Sequence, residues 1–141
     1  MSSDALSSIP IHVEFGSVEK DSPQASIRAI LVEIQQALRL FHETGKKHSI
    51  DLTALPLSEF ETSKLLKLLG QGELSIRLSS LGESEIYESL FEAVWLIKHK
   101  NETDQVSALL IEVCAVPEIV LSQINDISSL TEGLQELIDG L

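Results

Sequence analysis

The sequence predicts an α+β domain in which an antiparallel sheet of three to four strands has helices packed on one face. Three patterns support this fold class. Apolar residues recur at spacings of three and four in residues 27–41, which predicts an amphipathic helix. They alternate with polar residues in 73–79, which predicts a half-buried strand. Residues 84–116 are rich in aromatic and β-branched residues around a turn at 101–104, which predicts a hairpin.

The first predicted helix has signals at both ends. Ser22 is the expected N-cap, Pro23 takes the first helical position, where its missing N–H costs nothing, and Gly45 ends the helix. Its stripe of apolar residues consists of Ile27, Ile30, Leu31, Ile34, Leu38 and Phe41. This stripe predicts one face packed on the sheet.

Two further helices are predicted from capping-box patterns, in which a Ser hydroxyl and a Glu carboxylate satisfy free N–H groups of the first turn. One pattern lies at 58–61 and its helix ends at Gly70; the other lies at 129–132 and its helix ends at Gly140. We expect three apolar residues of the last helix to face inward: Leu134, Leu137 and Ile138.

The remaining strands are shorter or ambiguous. Residues 11–15 predict an edge strand, and residues 50–52 predict a second short strand. Residues 84–99 fit both a helix and a strand, and we expect one long strand, bulged near Ala93. It would pair with 106–116 to form the hairpin.

Length and charge set the domain organisation and the class of partner. The 141 residues predict an N-terminal segment, 1–22, and a single domain, 23–141. The formal net charge of −12 argues against nucleic-acid binding, which depends on Lys and Arg. It favours encounter with a basic partner, although it can equally serve solubility alone.

Cellular location is predicted from what the sequence lacks. The first residues show no cationic start and apolar core of a secretory signal. Apolar runs are too short for a membrane-spanning helix, and the single cysteine, Cys114, permits no intramolecular disulfide. We therefore expect a cytoplasmic protein that does not interact with membranes.

Motifs for catalysis, cofactors or metals are missing from the sequence. There is no nucleophile elbow, phosphate-binding glycine loop, dinucleotide fingerprint or zinc-protease motif. Gly70 and Gly72 lie between a helix and a strand, the reverse of a phosphate loop, and are interpreted as a cap and a tight turn. Pro117 is interpreted as closing a strand and opening a short helix that ends at Leu121. No histidine pair has helical metal-ligand spacing, so no cofactor or metal is expected.

The hairpin carries the candidate functional residues. Acidic residues crowd both of its arms, and they fit a solvated face, a partner-binding face or, least well, catalytic carboxylates. Trp95 is interpreted as a core anchor, with an exposed interface hot spot as the alternative. A turn near residue 102 would place His99 opposite roughly Val106 and Cys114 opposite about Phe91, too far apart to share a metal. The partner-binding candidates are Glu85, Glu88, Phe91, Trp95, His99 and Glu112.

Residues 50–126 resemble the C-terminal domain of the hydrogenase expression/formation (HupH-type) proteins. The order and spacing of the matching segments carry the resemblance: IDL at 50–52, LPL at 55–57, LLGQGELS at 68–75, EIYESLFEAVW at 85–95, HKN at 99–101, IEV at 111–113 with VP at 116–117, and SQINDI at 122–127. The chain has Ala93 where this family tends to have Gly, and we expect from this that the backbone there needs no positive φ.

The resemblance implies a non-enzymatic accessory protein for [NiFe] hydrogenase maturation. Its partner would be a hydrogenase subunit or another maturation protein. Two alternatives stay open, a homodimeric or larger scaffold built from copies of this chain and an enzyme that uses the hairpin carboxylates. Family proteins are often longer, with additional sequence ahead of this domain.

Overall fold

The computed structural model describes residues 23–122 and 124–141. The predicted edge strand at 11–15 and the Ser22 cap lie outside the described residues. No described helix is both long enough and apolar enough to cross a lipid bilayer. The helices and strands are α1 (Pro23–Thr44), β1 (His48–Asp51), α2 (Glu59–Leu69), β2 (Ser75–Ser80), β3 (Gly82–Glu88), β4 (Val94–Lys100), β5 (Val106–Val113) and α3 (Ile127–Asp139).

The α+β class is confirmed, but the described residues form five strands rather than three to four. The strand order is β1-β5-β4-β3-β2, and every neighbouring pair is antiparallel. The additional strand comes from residues 84–99, which form two strands and a turn instead of one long strand. The prediction was wrong because apolar and aromatic residues continue through the turn, so the pattern does not mark the reversal.

The turn at residues 89–93 is held by side-chain hydrogen bonds. The Ser89 hydroxyl donates to the Phe91 carbonyl and accepts from the Phe91 N–H, both at 3.0 Å. The Glu88 carboxylate accepts from the Ala93 N–H at 3.1 Å. Ala93 has φ +70°, so the expectation that this position needs no positive φ was wrong. The reversal between β3 and β4 requires the left-handed conformation, whichever residue occupies it.

Gly70 and Gly72 bring this turn close to the end of α2. Gly70 has φ +69°, and a Cβ added there would collide with the Leu90 side chain. A Cβ on Gly72 would lie 2.7 Å from the Ser89 carbonyl oxygen. The Leu90 N–H also donates to the Leu69 carbonyl at 2.9 Å. The glycines therefore allow α2 and the 89–93 turn to pack against each other.

Helices α1 and α2 cover one face of the sheet, as predicted. The Ser58–Glu61 capping box at the start of α2 is confirmed, since both reciprocal hydrogen bonds are present. The main core lies between these helices and the sheet, and its buried members are Ile27, Ile30, Ile34, Ile50, Leu52, Leu65, Leu69, Val94, Leu96, Leu109 and Ile111.

A second, smaller core lies on the opposite face of the sheet, around Ile86, Trp95, Ile97 and Cys114. The chain after β5 returns across this face, where Val116 and Val120 pack against the cluster. Pro117 is fully buried and is followed by a 3₁₀ turn, Glu118–Val120, so the short helix predicted after Pro117 is confirmed as a 3₁₀ turn.

Helix α3 differs from its prediction in two ways. It begins at Ile127 with Asp126 as N-cap, whose carboxylate accepts from the Ser129 N–H, so the predicted capping box at 129–132 was wrong. Leu134, Leu137 and Ile138 do not face inward; they are 59%, 69% and 60% exposed. Periodicity identifies an apolar face but not a surface that covers it.

Candidate functional site

The structure distributes the six partner-binding candidates over three regions. Glu88, Trp95, His99 and Glu112 lie on the sheet face opposite α1 and α2, Glu85 lies on the other face, and Phe91 lies in the 89–93 turn. The hairpin acids therefore do not form a single surface. Each region needs its own interpretation.

Trp95 is a core residue with acidic neighbours. It pairs across the strands with Glu88 on one side and Glu112 on the other. Its indole N–H donates to the Cys114 carbonyl at 3.2 Å, and the residue is only 2% exposed. The core-anchor interpretation is confirmed, and the ring is not on the surface as an interface hot spot would be.

Glu112 lies in a partly desolvated environment. Burial is the largest cause that raises its pKa, and the neighbouring Glu118 raises it further, while His99 and Lys47 partly offset the shift. Burial also raises the pKa of Cys114 to about 11, so this cysteine is protonated and unreactive at neutral pH. Both residues line a shallow cavity of about 220 Å³ with Lys47, His48, Ser49 and Glu118.

The predicted positions of His99 and Cys114 need a small correction. His99 lies opposite Ala108 rather than Val106; a β-bulge between His99 and Lys100 accounts for one residue of this shift. The Cys114 N–H donates to the Ala93 carbonyl at 3.0 Å, instead of lying opposite Phe91. The His99 Nδ1 hydrogen-bonds the Ser84 hydroxyl at 2.8 Å. Within residues 23–122 and 124–141 no group of three or more His, Cys, Asp or Glu side chains could hold a metal ion.

Glu85 takes part in surface ion pairing. It lies opposite Arg77 on β2 and Lys98 on β4, and its carboxylate is 3.7 Å from the Lys100 ammonium. Exposed pairs of this kind contribute about 0–1 kcal/mol to stability. Glu85 is therefore part of a mixed-charge surface rather than of an acidic binding face.

Phe91 is the candidate that the structure places on an apolar surface. It is 53% exposed and lines a cavity of about 340 Å³ with Leu31, Ile34, Gln35, Leu38 and Leu69. Leu31 also lines an adjoining cavity of about 610 Å³, which includes Arg28, Lys64 and Leu68. The two cavities share Leu31, and together they are called here the α1–α2 groove.

The sequence contained an unused signal for this groove. The α1 stripe is wider than a single contact with the sheet needs, because Ile27, Ile30 and Ile34 are buried while Leu31 and Leu38 stay half-buried. In α2, Leu65 and Leu69 are buried whereas Leu68 is 50% exposed. A helix with more apolar residues than its core face uses presents a second apolar surface.

Comparison with known proteins identifies the family. The model of the HupH hydrogenase expression protein, C-terminal conserved region, matches residues 25–141. The chain belongs to this family.

Three relatives illustrate the similarity. The chain is 36% identical over 100 residues to the hydrogenase-1 operon protein HyaF of Escherichia coli (strain K12), covering 69% of the chain and 34% of the relative. It is 27% identical over 114 residues to the hydrogenase expression/formation protein HupQ of Azotobacter chroococcum, and the match covers 79% of the chain and 40% of the relative. A solved structure of the hydrogenase expression protein HupH from Thiobacillus denitrificans has TM-score 0.78 and 36% identity, covering 83% of this chain and 98% of that one. The chain thus spans little more than a third of the length of these two curated relatives.

Proposed function

We propose that the chain is a non-enzymatic accessory protein that assists maturation of a [NiFe] hydrogenase in the cytoplasm by binding an immature subunit in the α1–α2 groove. The exposed Phe91 beside the leucines of the groove is the observation that carries this proposal. Membership of the hydrogenase expression protein family supports the class of client.

The shape and chemistry of the groove suit an apolar segment of another polypeptide. A subunit that has not finished folding exposes such segments, and an amphipathic helix can lay its apolar face between two helices. Aromatic residues are enriched in protein interfaces, and Phe91 lines the groove. Burying its exposed part and the half-buried leucines removes apolar area from water, which stabilises the complex.

The net charge supports a client that is basic overall. At −12, the chain attracts a basic partner over distances up to about the 10 Å screening length at 0.1 M salt. Like charges discourage association with acidic proteins. This electrostatic attraction would increase the rate at which the client arrives, whereas the apolar groove would bind it.

The proposal that the chain is not an enzyme is supported by how its polar groups are used. One Glu88 oxygen is bound to the Ala93 N–H, where it holds the turn. The Cys114 thiol, with a pKa of about 11, is a poor nucleophile near pH 7. Glu112 shares its cavity with Glu118 and Lys47, which is an ordinary mixed-charge surface.

The test uses a substitution in the groove and a matched control outside it. In a host whose hydrogenase maturation depends on this chain, Phe91→Glu is expected to lower hydrogenase activity and recovery of the immature subunit on the tagged chain at least tenfold. Leu81→Glu introduces the same charge at an apolar residue that is 81% exposed in the β2–β3 turn, and it should leave both unchanged. Unchanged hydrogenase activity and unchanged recovery of the subunit with a folded Phe91→Glu chain would contradict the proposal.

A further inference from the structure

Helix α3 presents an apolar face that no described part of the chain covers. Every residue of the helix is exposed, including the five apolar side chains Ile127, Leu130, Leu134, Leu137 and Ile138, which are each at least 56% exposed. At about 100° per residue these five project within one arc of roughly 100°. The acids Glu132, Glu136 and Asp139 project on the opposite side.

The α1–α2 groove matches this helix in length. Its lining residues on α1 extend from Gln24 to Leu38, about 21 Å at 1.5 Å per residue. Helix α3 has 13 residues and is about 20 Å long. Both surfaces are apolar and both lack a partner among the described residues, so each can bury the other.

The charges favour the same pairing. Helix α3 has three acidic residues and no Lys, Arg or His. Helices α1 and α2 together carry four Lys or Arg residues and four acidic ones, so they add no net charge to an acidic chain. Arg28 and Lys64 lie at the groove itself. An acidic helix therefore meets two cationic side chains there.

A helix from the same copy cannot easily reach this groove. Residues 121–126 connect α3 to the 3₁₀ turn, which packs through Val120 on the sheet face opposite α1 and α2. Six residues span about 20 Å when fully extended. Crossing the sheet and the helix layer takes about that distance by itself, since packed layers lie about 10 Å apart, and a path around the sheet edge is longer.

Pairing between two α3 helices alone is also unfavourable. Thirteen residues make fewer than two heptads, whereas a sustained coiled coil takes about three to four. Isolated helices of this length are marginal in water. A preformed groove supplies the packing surface that a second short helix does not.

We propose that α3 of one copy occupies the α1–α2 groove of a second copy, and that the exchange is reciprocal and forms a homodimer. Each copy then buries both of its unpartnered apolar surfaces. This inference needs no hydrogenase subunit. One consequence rests on the proposed function: the dimer occludes the groove that a client would use, so α3 and the client compete.

The test is sedimentation equilibrium of the full chain and of two variants, alone and mixed. Leu134→Glu disrupts α3, and Phe91→Glu disrupts the groove; Leu68→Glu is a second groove variant in case Phe91→Glu unfolds, which a thermal melt detects. We expect the wild type to be dimeric and each variant to be monomeric at the same concentration. An equimolar mixture of the α3 and groove variants should form a heterodimer, because one copy keeps an intact helix and the other an intact groove.

Each alternative outcome decides against the proposal. A monomeric wild type means that the face stays uncovered or is covered within the same copy, for example by residues 1–22. A dimer that Leu134→Glu abolishes but both groove variants retain means that α3 pairs with α3. A mixture that stays monomeric excludes the reciprocal exchange. Since hydrogenase proteins are absent from the assay, a failure here leaves the proposed function standing.

Discussion

Ala93 is an alanine in a backbone conformation that favours glycine. Its φ of +70° costs a residue with a side chain about 1–2 kcal/mol, while the N–H and carbonyl hydrogen bonds to Glu88 and Cys114 hold it there. The HupH-type pattern tends to have Gly at this position. An alanine at this position was expected to mean that the backbone has no positive φ, but the structure has a strained alanine there instead.

Replacing this residue is therefore expected to stabilise the protein. Ala93→Gly removes the strain but adds chain entropy to the unfolded state, so we expect a net gain of about 0.5–1 kcal/mol in the free energy of unfolding. Urea unfolding measures this gain in the free energy of unfolding, and the m-value should stay unchanged. The control Ala115→Gly replaces an exposed alanine outside the positive-φ region and should lower stability. A loss of stability in Ala93→Gly would refute the assignment of strain.

Two carboxylates, those of Glu112 and Glu61, are expected to make the free energy of unfolding change with pH in opposite directions. Burial raises the pKa of Glu112, so its contribution to stability is present at low pH and is lost as pH rises through the folded-state pKa. Hydrogen bonds from Ser58 lower the pKa of Glu61, so its contribution is present at neutral pH and is lost as pH falls through the folded-state pKa. Thus Glu112→Gln should raise the free energy of unfolding at pH 7, and Glu61→Gln should lower it.

Unfolding measurements between pH 3 and 7 test this pair. At the acid end of this range, both variants should approach the wild type in free energy of unfolding, because the native carboxyl groups are then protonated and resemble the amide. If the difference in free energy of unfolding between each variant and the wild type were the same at every pH, the substitutions would be acting through packing and not through charge.

At the scale of elements, the apolar surfaces of α2 and α3 differ in what they contribute. Leu65 on α2 is fully buried in the main core, so Leu65→Ala should cost about 2–5 kcal/mol. Leu134 on α3 is 59% exposed, so Leu134→Ala should cost less than about 0.5 kcal/mol in the separated monomer. Unfolding at a concentration low enough to separate copies measures both. A large cost for Leu134→Ala there would mean that α3 packs on its own domain.

Local sequence signals predicted elements whose causes are local. The Gly45 end of α1 and the Ser58–Glu61 capping box follow from neighbouring residues, and the structure confirms both. Asp126 displaced the expected cap of α3 because an aspartate three residues before Ser129 can also accept its N–H. The reversal at 89–93 depends on contacts of Ser89 and Glu88 that periodicity does not encode.

The candidate site was less predictable than the fold. Phe91 was found because the hairpin segment resembles the HupH-type pattern, but the leucines around it were assigned to the core. Whether Leu31 or Leu38 is covered depends on how α1 and α2 tilt on the sheet, and that is a property of tertiary packing. The same limit applies to α3: the sequence identified its apolar face, but the prediction that this face packs against the core was wrong.

For the whole molecule, the proposed function gives client recognition two components. The acidic surface would set how fast a basic client arrives, and this component weakens as salt rises. The α1–α2 groove would set how tightly an apolar segment is held. If α3 of a second copy fills the groove at rest, a client must displace it, and Leu134→Glu should bind the client more tightly than the wild type does.

The central claim is that the groove receives an immature hydrogenase subunit, and hydrogen exchange tests it most directly. The Leu134→Glu chain, whose groove is free of α3, is mixed with the unprocessed subunit, and amide exchange is followed by mass spectrometry. The account predicts slower exchange in 24–38, 64–69 and 89–93, and unchanged exchange around the β2–β3 turn at Leu81. Unchanged exchange along the groove, with slowing confined to other surfaces of a chain that does bind the subunit, would contradict it.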